Sequence, residues 1–211
     1  MQTINTNNGD YSFEPQKFTL GIKVIDMVIS KENLLLFQKI MKNNNIFFSL
    51  AYGTLLGAIR ENNFIEHDED IDVAIIKEDE DDFLDTLFEL QENGFIVGRY
   101  EQSLLSVIRK DEYIDIYIFE KTLFGNRKFG NEILKEKYLF NTIEYDFLSS
   151  HFNIPKDYIE YLEVHYGENW KVPLKNTHAC NPSLYLKTKQ YIQKRIPLLF
   201  KFLSWFKAKV K

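Results

Sequence analysis

A single cysteine, Cys180, is the only thiol in this chain of 211 residues. One cysteine excludes an internal disulfide and suits a reducing compartment. No local motif around it supports a nucleophilic role. Long apolar runs are missing as well. None reaches the roughly 18 residues that a membrane-spanning helix requires, and the N-terminus lacks the charged-then-apolar pattern of a signal sequence. The expectation is a soluble protein, cytoplasmic or peripheral at the inner face of a membrane. Internal repeats and low-complexity segments are absent. Basic charge is short over most of the chain. Residues 184–211 hold eight Lys and Arg and no acid, which leaves 18 basic against 31 acidic groups, a net of −13, on the other 183 residues. So acidic a body lacks the basic footprint that nucleic acid needs, and no nucleic-acid partner is expected.

What is present is apolar and aromatic content, 45% and 15%, enough for the core of one ordinary domain with a small appendage. The segment from Phe47 to Ile76, FFSLAYGTLLGAIRENNFIEHDEDIDVAII, organises it. An apolar run from Ile46 to Ala51 predicts a strand that ends at Gly53-Thr54. A short helix follows, with Leu55, Leu56 and Ile59 on one side and Arg60 at its far end. Asp68, Glu69, Asp70 and Asp72 then run into an apolar strand, Val73 to Ile76. Alternation places Asp68, Asp70 and Asp72 on one side of that strand. Three converging carboxylates repel each other unless a cation sits among them, and oxygen ligands suit a hard ion, Mg2+ or Mn2+. Backbone N–H groups at the glycine turn and helix start would attract a phosphate that the same metal could bind. The plainer alternative is a solvated acidic turn before a buried strand.

The rest of the chain supports this stretch. Residues 1–18 read as an irregular arm and residues 20–43 as a helix broken near Ser30. Acidic residues from Lys77 to Asp82 open another helix, which Asn93-Gly94 stops. Strands are predicted over residues 95–100 and 104–108, and again over Tyr113–Phe119, YIDIYIF. A carboxylate inside that last strand is costly unless satisfied. Asp115 therefore either faces water on an edge or sits beside Asp70 and Asp72 and completes a metal-binding triad. Residues 121–137 form a basic connection, either a lid that offers Arg127 and its neighbouring lysines to a phosphate or a solvated loop. Strand-like fragments fill 140–154, and Pro155 opens a helix that Gly167 ends.

These residues together resemble a known family. A strand and small turn, a helix, D-x-D on the next strand and a lone Asp on a later one form the nucleotidyltransferase pattern. GTLLGAIRENNFIEHDEDIDVAI (53–75) and IPKDYIEYLEVHYGENWKVP (154–173) resemble the paired signatures of the LicD and fukutin-related phosphotransferases, with YIDIYIF between them. His67 stands where that family commonly has Trp, and Glu69 replaces its middle aspartate. The resemblance implies an α/β (α+β) fold, a nucleotidyltransferase-like mixed β-sheet flanked by helices. It also implies transfer of a phospho-alcohol from a CDP-linked alcohol donor to a sugar hydroxyl of a glycan or lipid-linked glycan. By that resemblance Asp70, Asp72 and Asp115 are catalytic, and these three with Asp68 hold the metal. Gly53, Thr54, Arg60, His67, Arg127, Tyr166 and Trp170 would bind donor and substrate. Alternatives are transfer of the nucleoside monophosphate itself, or an inactive glycan-binding scaffold.

The sequence thus divides into an arm (1–18), a catalytic domain (19–183) and a basic segment (184–211). From Pro197 onward Leu199, Phe202, Leu203 and Phe206 fall on one helical face. Such a basic amphipathic helix either lies in a membrane interface, lysines toward anionic headgroups and Trp205 at the boundary, or packs against protein.

Overall fold

The structure, a computed structural model, describes residues 1–18, 23–101 and 103–173. Two compact units result, Met1–Leu162 and Glu163–Lys211. The predicted boundary at 183, Cys180 and the amphipathic tail lie outside the described residues. No helix among the described residues is long and apolar enough to cross a membrane.

The centre of the first unit is a mixed sheet. Strand β4 (Ile71–Ile76) has β3 (Ser49–Leu50) on one side, antiparallel, and β7 (Glu112–Lys121) on the other, parallel. Beyond β7 come β6 (Leu104–Arg109) and β5 (Ile96–Glu101), both antiparallel to their neighbours. One face is apolar by alternation. Ile71, Val73 and Ile75 of β4 and Ile114, Ile116 and Ile118 of β7 are completely or almost completely buried. Helix α1 (Met27–Asn43) packs against β7 with Leu34, Phe37, Ile40 and Met41 buried. Each such side chain contributes about 2 kcal/mol of burial. The opposite face carries Asp72, Asp115 and Tyr117. Helix α2 (Tyr52–Glu61) bridges β3 and β4 and stops at Asn62, whose φ of 51° is the left-handed conformation that ends helices.

Several elements depart from the sequence expectation. Residues 1–18 are not an irregular arm. β1 (Gln2–Thr6) and β2 (Gly9–Phe13) form a hairpin that buries Ile4, Tyr11 and Phe13. Its Asn7-Asn8 turn is anchored by Asp85, which accepts from Asn7 N at 2.7 Å and Asn7 Nδ2 at 2.9 Å. The Asn-rich composition is turn chemistry. Helix α1 begins at Met27 because Asp26 caps it, accepting from the N–H groups of Val28 and Ile29 at 3.0 Å. The acidic helix is three pieces: a 3-10 turn (Lys77–Asp79), α3 (Glu80–Asp85) and α4 (Leu87–Glu92). Thr86 separates the last two, its hydroxyl bonded back to the Phe83 carbonyl at 2.7 Å.

The supposed connection 121–137 folds as β8 (Asn126–Phe129) and β9 (Glu132–Lys135), a hairpin added to the end of β7. A short α5 (Lys137–Phe140) leads to a second hairpin, β10 (Thr142–Phe147) and β11 (Ser150–Pro155). Pro155 closes β11 instead of opening a helix, since a missing N–H is tolerated at a strand end. Helix α6 (Tyr158–Tyr166) starts three residues later.

Candidate active site

Parallel pairing of β4 with β7 sets Asp72 opposite Asp115 in register. Antiparallel pairing then sets Ser106 opposite Asp115, and Arg99 opposite Ser106. One rung of the sheet therefore reads Asp72, Asp115, Ser106, Arg99 across four adjacent strands. Asp70 enters the same face by alternation. Asp68, Asp70 and Asp72 each offer an oxygen within 4.8 Å of the others. Asp115 is close enough for its charge to act on both Asp70 and Asp72.

Burial and crowding push these carboxyls up. Burial pushes Asp68 up to about 6. It raises Asp70 well above the ordinary range, with the charges of Asp72, Asp115 and Asp68 adding to the effect. Asp72 is raised in the same way, by burial and then by Asp68 and Asp115. Burial also raises Asp115, against the pull of Arg99. Three nearby aspartates could hold a metal ion, and their chemistry fits a hard divalent cation, which would relieve this repulsion.

The start of α2 holds the cluster from its other side. Gly53 N donates to Asp72 Oδ2 at 2.8 Å, and Thr54 N reaches the same atom at 3.4 Å. The Thr54 hydroxyl accepts from Asp72 N at 2.8 Å. The helix N-terminus that was expected to cradle a phosphate thus grips the chain's own carboxylate. Glycine at 53 leaves room for the carboxylates: a Cβ there would displace Asp68 Oδ2 and stand 3.1 Å from Asp72 Oδ2. The strained residue is its neighbour Tyr52, at φ 37°. Its ring lies 4.6 Å from Tyr117, and its hydroxyl donates to Glu132 Oε2 at 2.9 Å, fastening β9 to the turn. Burial and then the Asp72 charge raise the Tyr117 phenol far above the usual range, so it keeps its proton.

Of the other expected site residues, Arg60 and Arg127 are paired with glutamates. Arg60 sits two turns along α2, about 10 Å from Gly53 at 1.5 Å per residue, and its guanidinium meets Glu61 at 2.6 Å. His67 is exposed in the turn before Asp68. Arg127 is buried, paired with Glu78 and 5.0 Å from the Phe140 ring, so its charge ties β8 to the turn after β4. Tyr166 ends α6, and Trp170, buried, closes a turn on Gly167 at 3.1 Å. Both belong to the second unit. Sequence reasoning missed Tyr117, Ser106 and Arg99. Tyr117 could have been found, because it lies two residues from Asp115 on one strand and so shares its face.

Comparison with known proteins places the chain in a family. The family described as LicD/FKTN/FKRP, nucleotidyltransferase domain, matches residues 45–157, more than half the chain. The chain belongs to that family. Within this LicD family context, ribitol-5-phosphate transferase FKTN of Macaca fascicularis is 32% identical over 158 residues, covering 69% of this chain and 34% of that protein. The human FKTN is 31% identical over the same length. An uncharacterized protein of Rickettsia typhi is 31% identical over 152 residues, 66% of this chain and 48% of that one. The chain thus spans about a third of the FKTN proteins it matches. The solution structure of antibiotic-resistance factor ANT(2″)-Ia superposes with a TM-score of 0.51 at 11% identity, over 87% of this chain and 96% of that one. This likeness concerns the nucleotidyltransferase-like fold.

Proposed function

We propose that this LicD-family chain is a metal-dependent transferase that moves a phospho-alcohol, such as ribitol phosphate, from a CDP-linked donor to a sugar hydroxyl of a glycan. The observation that carries the reading is the meeting of Asp68, Asp70, Asp72 and Asp115 on one face at the β4–β7 seam. The relatives named ribitol-5-phosphate transferase support the transferred group. Asp68, Asp70, Asp72 and Asp115 would hold the ion, Mg2+ or Mn2+. When bound, it supplies charge neutralisation to the donor's pyrophosphate and to the leaving group.

The chain's own groups orient and accept. Gly53 N and Thr54 fix Asp72. Asp115 stands as a metal ligand or as the base for the acceptor hydroxyl. In the reaction the acceptor oxygen forms a bond to the outer phosphorus, the bond to CMP breaks, and the hydroxyl proton passes to a carboxylate. The test incubates the full chain and divalent metal with CDP-ribitol, CDP-glycerol, CDP-choline or CDP-ethanolamine and a sugar acceptor. CMP release is expected. Pyrophosphate release from a nucleoside triphosphate, with no CMP from any of the four donors, would assign nucleotidyl transfer instead.

A further inference from the structure

Strand β5 carries an irregularity whose effect falls on the carboxylate cluster. Val97 pairs with Val107, yet Arg99 pairs with Ser106, so Gly98 and Arg99 together oppose one residue of β6. Two residues against one is a β-bulge, and bulges re-aim side chains. In an unbroken ladder Val97 and Arg99 would share the apolar face. The bulge turns Arg99 into the rung of Ser106 and Asp115. Glycine fits the extra position, since a Cβ at 98 would collide with Ile108 Cδ1 and stand 2.9 Å from the Phe18 ring. The Gly98 carbonyl accepts from Gln16 N at 2.8 Å, and Phe18 supports the Arg99 guanidinium at 4.5 Å.

Arg99 Nη2 lies 3.0 Å from Asp115 Oδ1 and 2.8 Å from Oδ2. Its Nε donates to Ser106 Oγ at 3.0 Å. Ser106 therefore turns its own proton to Asp115 Oδ1, with which it makes a short hydrogen bond. Asp115 is gripped from the β5–β6 side and left open toward Asp70.

We propose that Arg99 is a positioning residue: it fixes the orientation from which Asp115 completes the divalent-cation site, and the Gly98 bulge exists to deliver it. This rests on the cation site proposed above. A positive charge beside the cluster by itself opposes a second cation. Charge and positioning therefore predict opposite signs when Arg99 is removed.

The measurement is equilibrium Mn2+ binding to the full chain without substrate, read from the electron paramagnetic resonance of free Mn2+. Arg99→Met should weaken binding at least about tenfold, the usual scale for a partner that orients a metal ligand. Arg99→Lys should weaken it comparably, because one ammonium cannot serve Ser106 and Asp115 in a fixed plane. Ser106→Ala should shift affinity in the same direction by less. Binding by Arg99→Met or Arg99→Lys as tight as the wild type's, or tighter, overturns the positioning role. If the methionine variant does not fold, unchanged affinity in both Arg99→Lys and Ser106→Ala overturns it equally. A wild-type chain that binds no Mn2+ removes the cation site and this role together.

Discussion

Carboxylates meet two fates in this fold. On the surface beside α5, Glu160 is paired with Lys135 at 2.8 Å and with Lys137 at 2.5 Å, and Lys137 also holds Asp157 at 2.7 Å. Those hydrogen bonds pull Glu160 down to about 2. At the β4–β7 seam, Asp68, Asp70, Asp72 and Asp115 crowd together with Arg99 as the guanidinium that pairs with the group. Burial pushes them up, Asp68 to about 6. One region spreads its negative charge among lysines; the other concentrates it where it costs stability. A cost kept in the centre of a well-packed sheet is what the proposed metal site would explain, whereas the paired surface acids mark ordinary solubility.

The contrast breaks most sharply with Asp72→Asn. Turnover of the CDP-linked donor should fall by about a thousandfold, the upper range for loss of one charge-stabilising group, with the circular dichroism spectrum unchanged. Near-normal turnover would remove the cluster from the chemistry. Added Mg2+ comes next. At about a hundred times its dissociation constant it should stabilise the chain by about 2.7 kcal/mol, a rise of roughly 5–10 °C in melting temperature for a chain this size. Asp70→Asn should lose most of that rise and, in chelator, melt above the wild type because repulsion is relieved. A metal-induced rise that survives Asp70→Asn would place the ion elsewhere.

Acidity sharpens the comparison from both ends. The folded-state value of Asp68, about 6, exceeds the ordinary 3.8. Folding therefore favours its protonated form, and the metal-free protein loses stability as pH rises from about 4 through 6. Asp70, Asp72 and Asp115 are shifted the same way. Melting in chelator should be several degrees lower at pH 8 than at pH 5. Glu160 runs opposite: its value falls from 4.5 to about 2, so its contribution is present above about 4.5 and lost as pH drops toward 2. It lies at the surface and is half-exposed, so Glu160→Gln should move the melting temperature at pH 7 by no more than about 2 °C, less in high salt.

Much of this site was legible in the sequence. Period-two alternation alone put Asp70 and Asp72 on one side of β4 and singled out Asp115 as a polar residue in an apolar strand. What alternation could not supply is any exception to itself. The bulge at Gly98 moves Arg99 to the other face, and the same rule that finds Asp115 misplaces Arg99. Gly53 was read as a turn former, but the positive φ falls on Tyr52, and the glycine answers to the oxygens of Asp68 and Asp72, which lie well over ten residues away. The β8–β9 hairpin was hidden for another reason: its strands are four residues each and rich in charge, so they carry little apolar pattern.

The parallel seam between β4 and β7 has a consequence for the order in which the molecule assembles. Asp72 and Asp115 become neighbours only after the chain between them, with α3, α4, β5 and β6, has closed back on the sheet. Long-range parallel pairing of this kind is among the slower events of folding. An ion held by both strands, as proposed, would act on the finished native state: it would delay unfolding while leaving the rate of folding almost untouched. On the proposed reading, resistance to unfolding would thereby be tied to the supply of metal.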